Sequence, residues 1–335
     1  MRGGLSHSQI KAWTRAAFCC AALVLLLLVI GGLSGVQDQS VPTPEPPPTP
    51  TPRETVGEAA VFGTTGDPFC AAYLSNLEEL CEASGWRLIQ YDCVGRTNIQ
   101  QGQIEDFLKN ETADVAILYA VGEQEELEAR AKALYKHCPV VTVGRPVRPV
   151  AKRYVAAHVG AEANGQIKAL CGYFNESRPK VEKVLILLDL PDEEREARKQ
   201  TFEDGNVAVL DENYTWGDKI YAERYLETGL ELFPEADAIV CASRNGTQGA
   251  LNSLHQKDLR STVKIAALDY DQSMAEDLAL GDLDAAAVLS PKEMAEAVAE
   301  LLPKALKKEK IEEKPLAYHV LTPENMDKLD LGYEP

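Results

Sequence analysis

From residue 57 onward, short runs of apolar and β-branched residues alternate with amphipathic stretches, and this alternation constrains the fold more than any other feature. Several runs are continuously apolar, as parallel strands are when helices cover both faces of their sheet. The predicted strands are 58–63, 86–92, 114–120, 139–144, 154–160, 183–190, 206–212, 237–243, 263–270 and 283–290. Alternation of this length predicts an α/β fold of parallel sheets joined by right-handed crossovers.

The number of predicted strands indicates how the sheets are arranged. About ten strands are too many for one compact open sheet and fit a closed eightfold barrel poorly, so two α/β lobes are favoured. Two residues mark helix ends between the strands. Gly85 is predicted to end a helix in the left-handed conformation, and Thr215 is predicted to cap the start of another.

The first 56 residues have the composition of a membrane address and a spacer. Residues 1–15 hold basic residues and no acid, and residues 16–36 are uncharged and rich in leucine. That run is long enough to cross a hydrocarbon layer of about 30 Å, so it is predicted to be a cleaved signal peptide or a signal-anchor helix. Residues 37–56 form a proline- and threonine-rich linker of extended character. Either alternative leaves 1–15 in the cytoplasm and the body outside it, secreted or membrane-anchored.

The charge of the chain is unevenly distributed and excludes one class of partner. The formal net charge is -18, and residues 1–54 contain four basic and three acidic residues, so the remaining residues carry -19. A body this acidic repels phosphate backbones, which argues against nucleic acid as a partner.

No catalytic or metal-binding constellation is apparent. The five histidines include no H-x-x-x-H pair, and the chain lacks G-x-S-x-G and the glycine-rich phosphate-binding motifs. The six cysteines of the body form no C-x-x-C pair; buried thiols are favoured, with disulfides left open. We therefore predict that the protein is not an enzyme and uses neither a cofactor nor a metal.

Short motifs spread over residues 58–320 resemble, in order and spacing, the sugar-binding branch of the type I periplasmic binding proteins. This family comprises ribose and galactose receptors of ABC transporters and is related to the ligand domains of LacI-type repressors. Asp67-Pro68-Phe69 stands where the family has Asn-Pro-Phe, and residues 138–145 match its I-P-V-V-x-[IL]-D-R strand. The other matching segments are 198–202, 234–239, 248–251, 267–269 and 281–283.

The resemblance implies a two-lobed fold with three crossovers that closes on its ligand by a hinge. The lobes would comprise 57–158 with 291–318, and 159–290 with 319–335. By analogy, Phe69 would stack on a sugar ring, Arg145 and Arg198 would donate hydrogen bonds to the ligand, and Asp269 would accept them.

The chain departs from the family at several ligand positions. Gly144 and Gly160 replace aspartates, Ser243-Arg244 replaces Asn-Asp, and Leu289 replaces a glutamine. Acceptors that sugar hydroxyls need are lost, and Arg244 is added to the predicted ligand residues. Convergence of Arg145, Arg198 and Arg244 on the ligand would favour an anionic ligand. The alternative is that one or more of them forms a salt bridge within the protein.

Two functions follow from the resemblance. The first is an extracytoplasmic solute-binding protein that captures a small carbohydrate-like ligand for an ABC permease. The resemblance implies that it is a monomer. The alternative is a membrane-tethered sensor or docking module with a degenerate sugar site and a membrane sensor partner.

Overall fold

The computed structural model describes residues 55–119, 121–191, 194–313 and 315–333. The predicted segments 1–15 and 16–36, and nearly all of 37–56, lie outside the described residues. Within the described part of the chain, no helix is long and apolar enough to cross a membrane.

The first sheet is parallel throughout and has the strand order β2-β1-β3-β4-β5. Its strands are β1 (Gly57–Gly63), β2 (Trp86–Asp92), β3 (Val115–Tyr119), β4 (Val140–Val143) and β5 (Ala157–Val159). The predicted strand 154–160 is shorter than expected because a 3₁₀ turn, Pro149–Tyr154, occupies the segment before it. The continuously apolar strands β3 and β4 are almost fully buried, as the sequence pattern predicts.

The second sheet has the order β11-β10-β9-β8-β6-β7 and is parallel except for the last strand of the chain, which pairs antiparallel with β10. Its strands are β6 (Lys183–Leu188), β7 (Ala208–Tyr214), β8 (Ala238–Cys241), β9 (Lys264–Ala267), β10 (Ala285–Val288) and β11 (His319–Leu321). We call the first sheet with its helices the first lobe, and the second sheet with its helices the second lobe.

Helices cover both faces of each sheet. They are α1 (Pro68–Ser84), α2 (Thr97–Asn110), α3 (Gln124–Leu134), α4 (Gly165–Glu176), α5 (Arg195–Asp204), α6 (Lys219–Leu232), α7 (Arg244–Gln256), α8 (Ala275–Leu280) and α9 (Pro291–Leu306). In the first lobe, α1 and α9 pack on one face and α2 and α3 on the other. In the second lobe, α4 and α5 cover one face while α6, α7 and α8 cover the other.

The chain passes between the lobes three times. It leaves the first sheet after β5, returns after β10 so that α9 packs on the first sheet, and enters the second sheet again at β11. Two parallel-sheet lobes with three crossings confirm the predicted fold class for the described residues.

Two local predictions have different outcomes. Gly85 ends α1 with φ +80°, and its N–H donates to the carbonyls of Cys81 and Glu82, as predicted. Thr215 does not cap a helix; α6 begins later, and its cap is Asp218, whose carboxylate accepts from the N–H of Ile220. Trp216 and Gly217, both with positive φ, form the turn that separates Thr215 from the helix.

The six cysteines of the body, Cys70, Cys81, Cys93, Cys138, Cys171 and Cys241, are all buried free thiols. Buried thiols were the favoured interpretation of these residues, which lie within apolar helix and strand patterns.

Candidate functional site

A cavity of about 730 Å³ lies between the carboxyl ends of the strands of the two lobes. Loops that follow parallel strands meet at this edge, where open α/β sheets bind their ligands. The volume is within the range of about 300–1,000 Å³ that is typical of small-molecule sites. The residues that line it are Asp67, Phe69, Tyr119, Gly144, Arg145, Ala161, Glu162, Ala163, Asn164, Gln166, Ala242, Ser243, Arg244, Asp269, Tyr270, Asp271, Met274, Val288, Leu289, Met294, Tyr318 and Tyr333.

The first lobe contributes side chains that are also part of its own structure. Asp67 caps α1, because its carboxylate accepts from the N–H of Cys70 at 2.9 Å. Phe69, in the first turn of that helix, is half-buried against the core and also faces the cavity. The Phe69 side chain thus both packs on the core and lines the cavity, while its stacking on a sugar ring stays a prediction. Arg145 follows β4 and is exposed at the cavity.

The second lobe contributes Ser243 and Arg244 from the start of α7. Ser243 caps this helix by accepting from the N–H of Gly246, and its hydroxyl donates to the carboxylate of Asp189 at 2.7 Å. Thr215 donates to the same carboxylate at 3.2 Å. These bonds hold the loop after β8 against the loops after β6 and β7, so the neighbouring Arg244 starts from a fixed backbone.

Asp269 follows β9 and is exposed to the cavity. The protein groups around its carboxylate still reduce its solvation, and this raises the pKa of Asp269 to about 6. Within the described part of the chain, Asp269 forms no ion pair, and neither do Arg145 and Arg244. A carboxylate in this setting is available to accept hydrogen bonds from a ligand.

Arg198 does not line the cavity, so its predicted role as a ligand residue has no support in the geometry. Its guanidinium forms a two-pronged pair with the carboxylate of Glu212 on β7, with Nε–Oε2 at 2.9 Å and Nη2–Oε1 at 3.2 Å. Both side chains are buried, with 6% and 2% of their surface exposed. The pair belongs to the outer edge of the second sheet, and the convergence of three arginines predicted from the sequence reduces to Arg145 and Arg244.

Two departures from the family pattern have a steric reason. A Cβ atom on Gly160 would collide with the carbonyl oxygen of Gly144 and would lie 2.7 Å from Nε2 of His158. Gly144 itself has φ +83°, a conformation that other residues adopt at a cost. The loops after β4 and β5 are therefore too close together for an aspartate at position 160.

Other carboxylates occupy the cavity instead. Glu162 and Asp271 were not predicted as site residues, yet both line it together with Asp67 and Asp269. Hydrogen bonds from Ser273 lower the pKa of Asp271, so it is ionised at neutral pH. Among the described residues, the lining has four carboxylates against two guanidinium groups. The cavity thus has more acceptors than the sequence comparison indicated, and its formal charge is negative.

Aromatic rings form much of the remaining wall. Besides Phe69, four tyrosines line the cavity: Tyr119, Tyr270, Tyr318 and Tyr333. The ring of Tyr333, close to the C-terminus, meets that of Tyr270 edge to face at 6.0 Å between centroids. A mixture of rings, acceptors and donors suits a polyhydroxylated ligand, whose C–H faces and hydroxyl groups require both kinds of contact.

Comparisons with known proteins agree with this geometry. The family model of the periplasmic binding protein domain matches residues 59–310. A search among curated proteins found no match.

Solved structures with the same fold belong to transport proteins. An ABC transporter solute-binding protein from Bacillus halodurans C-125 with bound myo-inositol is 20% identical with a TM-score of 0.63, covering 85% of this chain and 100% of that chain. A protein from Actinobacillus succinogenes 130z with bound D-allose is 17% identical with a TM-score of 0.64, covering 81% and 99%. A periplasmic ribose ABC transporter protein from Conexibacter woesei is 12% identical with a TM-score of 0.69, covering 82% and 94%. At these identities the structural likeness establishes the fold.

Proposed function

Because this chain belongs to the periplasmic binding protein domain family, we propose that it captures a small neutral polyol, a sugar or a cyclitol, between its two lobes and delivers it to an ABC importer. Family membership itself establishes a ligand-capturing role outside the cytoplasm, and it agrees with the prediction that the chain is not an enzyme. Beyond that role, we propose the class of ligand and the importer partner.

The observation that carries the proposal is the composition of the cavity wall. Carboxylates, guanidinium groups and tyrosine rings converge from both lobes on one space of about 730 Å³. Each sugar hydroxyl has a proton to donate and lone pairs to accept with, so a polyol satisfies both kinds of charged group. A purely apolar or purely basic wall would favour a different class of ligand.

The charge of the wall favours a neutral ligand over the anionic one considered from the sequence. The lining has the guanidinium groups of Arg145 and Arg244 and four carboxylates. One of these, Glu162, pairs with Lys168 at 3.0 Å, and the other three, Asp67, Asp269 and Asp271, still outnumber the two guanidinium groups. A carboxylate or phosphate on the ligand would add charge of the same sign as the net charge of the wall. Arg198, which was expected to add a third positive group, is neutralised by Glu212.

The ligands of the structural relatives support a polyol. Proteins of the same fold were crystallised with myo-inositol and with D-allose, and a further relative is described as a ribose transporter protein. Because each of these proteins is described as part of an ABC transporter, an importer is the favoured partner over a sensor. The carboxylates that replace the family's acceptors likewise argue against a degenerate site.

The proposal includes the N-terminal segment. The apolar run 16–36 would direct the acidic body across the membrane and either anchor it or be removed, and residues 37–56 would separate the body from the bilayer. A body held close to the membrane by such a tether is suited to repeated encounters with a membrane-embedded importer.

A thermal-shift screen of the full chain tests the ligand class. The probes are myo-inositol, D-allose, D-ribose and D-glucuronate. A neutral probe present at 100 times its Kd should add about 2.7 kcal/mol to the free energy of unfolding, whereas glucuronate should add far less. A thermal shift with glucuronate alone would contradict the proposal. So would the absence of a shift with every neutral probe.

A further inference from the structure

The last residues that the structure describes enter the cavity from outside the region matched by the family model. After β11 the chain turns back, with the amide group of Asn325 accepting from the N–H of Thr322 at 2.8 Å and donating to the carbonyl of Val320 at 2.9 Å. We call residues 322–333 the C-terminal segment. Its apolar side chains Met326, Leu329 and Leu331 pack on the core of the second lobe, which fixes the path of the segment.

The end of the C-terminal segment is also bonded to the first lobe and to α9. The carbonyl of Gly332 accepts from Asn76 Nδ2 on α1 at 2.7 Å. The carbonyl of Leu331 accepts from the N–H of Lys292 and from the hydroxyl of Ser290, both at 3.1 Å. Asp330 pairs with the ammonium group of Lys292. Together with the packing of Leu331 on the second-lobe core, these first-lobe contacts hold the backbone to both lobes within three residues of Tyr333.

Gly332 makes this close approach possible. Its φ is +84°, and a Cβ atom there would lie 2.5 Å from Cβ of Lys292 and 2.9 Å from the amide group of Asn76. Only glycine combines the left-handed conformation with the missing Cβ. The turn at Gly332 directs the next residue, Tyr333, to the cavity.

The Tyr333 side chain completes one wall of the cavity. It is half-buried and lies edge to face with Tyr270 of the second lobe. Burial, together with the nearby negative groups Asp67 and Asp271, raises the pKa of the Tyr333 hydroxyl, so it stays protonated and able to donate at neutral pH. An aromatic ring with a donor at its tip complements a ring-shaped polyol, which has an apolar C–H face and peripheral hydroxyls.

We propose that Tyr333, held by the C-terminal segment across both lobes, is a specificity-determining residue that favours ring-shaped polyols over open-chain ones. A flat ligand face can lie against the tyrosine ring, whereas a flexible open-chain polyol presents no such face and loses more conformational freedom on binding. This inference rests on the proposed function, because it names the class of polyol that the same cavity selects.

The test is calorimetric titration of the full chain with two ring-shaped probes, myo-inositol and D-allose, and one open-chain probe, sorbitol. Tyr333→Ala should raise the Kd of the ring-shaped probes about tenfold and the Kd of sorbitol less than threefold. Tyr333→Leu, which keeps apolar volume, should lose the same preference for rings. Tyr221→Ala is the matched control, since Tyr221 is an exposed tyrosine on α6 outside the cavity lining.

The outcomes separate the inference from the proposed function. If the wild-type chain binds neither ring-shaped probe, the proposed function is overturned and the inference with it. If the wild-type chain binds them but both Tyr333 variants keep its ratio of ring to open-chain affinity, only the inference is overturned. A general loss of packing would weaken the binding of ring-shaped and open-chain probes equally. The ratio of their Kd values therefore distinguishes ligand selection by Tyr333 from a merely structural role.

Discussion

The two lobes contribute to the cleft in different ways. On the first lobe, Asp67 is engaged as the cap of α1, and Phe69 packs against the core behind the cavity wall. On the second lobe, Asp269 forms no ion pair within the described part of the chain, and the reduced solvation of its carboxylate raises its pKa to about 6. The Asp67 carboxylate thus already has a backbone partner, while the Asp269 carboxylate is still open to a ligand.

This difference indicates where ligand binding should gain its free energy. A carboxylate whose charged form is poorly solvated and that has no protein partner gains most from a ligand hydroxyl. A carboxylate that already accepts a backbone N–H has less to gain. We therefore expect affinity to depend mainly on Asp269, with Asp67 serving mainly the stability of its helix.

The largest expected effect lies outside the cleft, at the buried pair of the second lobe. Arg198→Ala would remove the two-pronged partner of the buried Glu212 and leave it only the more distant, half-exposed Arg195 as a cation, so it should lower the free energy of unfolding by about 3 kcal/mol in urea denaturation. Arg195→Ala is the matched control, because Arg195 is half-exposed and 3.8 Å from the same carboxylate; it should cost less than about 1 kcal/mol. Equal losses in the two variants would contradict a structural role specific to Arg198.

The next largest effect is on ligand affinity, and it compares the Asp269 carboxylate of the second lobe with the Asp67 carboxylate of the first. Asp269→Asn should weaken binding of myo-inositol by about 2 kcal/mol, or roughly thirtyfold in Kd, because charged acceptors form the stronger hydrogen bonds. Asp67→Asn should change Kd by less than about threefold, since asparagine also caps helices well. Calorimetric titration measures both values. A larger loss in the Asp67 variant would reverse the assignment of the two lobes.

The pH dependence of affinity follows from the raised pKa of Asp269. The carboxylate is mostly ionised at pH 7.5 and mostly protonated at pH 5, so its capacity to accept falls as pH falls through about 6. Binding of myo-inositol should weaken by up to about tenfold between these values. In Asp269→Asn the affinity should be nearly independent of pH over this range. A wild-type affinity that is equally flat would show that Asp269 does not contact the ligand.

The smallest effect is on the stability of the ligand-free protein. A carboxyl group whose folded pKa lies above its ordinary value of 3.8 stabilises the fold fully below pH 3.8, and this contribution is lost as pH rises through about 6. Asp269→Asn should therefore be more stable than wild type at pH 7.5, by about 1 kcal/mol after allowance for solvent screening. The difference should disappear near pH 4. Thermal unfolding of both proteins at the two pH values measures it, and a less stable variant at pH 7.5 would contradict the raised pKa.

The sequence predicted the fold well because the fold depends on patterns that are local and repeated. Continuous apolar runs marked the buried parallel strands, and Gly85 marked a helix end by its need for a positive φ. The prediction that Thr215 caps a helix was wrong because it also used only a local pattern. A hydroxyl residue before a helix is a common cap, yet here Trp216 and Gly217 make a turn, and the next capable residue, Asp218, takes the role.

The candidate site was less predictable because it depends on which side chains from distant segments meet. Phe69, Arg145, Arg244 and Asp269 line one cavity, at positions taken from the family resemblance, although their ligand roles stay predictions. Arg198 was assigned to the site by motif alone, and nothing in its local sequence revealed that Glu212, fourteen residues further, would neutralise it.

The residues that sequence reasoning missed illustrate the same point. Glu162 and Asp271 fall just after predicted strands, at the edge where open α/β sheets bind their ligands, and counting all carboxylates there would have found them. Tyr333 carried no such signal. It reaches the cavity only because the C-terminal segment folds back over the second lobe and is bonded to Asn76.

The most direct test of a polyol held between unlike lobes is a crystal structure of the full chain with myo-inositol bound. We expect a ligand within the cavity whose hydroxyls donate to the carboxylate of Asp269 on the second lobe, with Arg145 of the first lobe on its other side. A ligand bound outside this cavity, or contacting the first lobe while Asp269 remains without a partner, would contradict it.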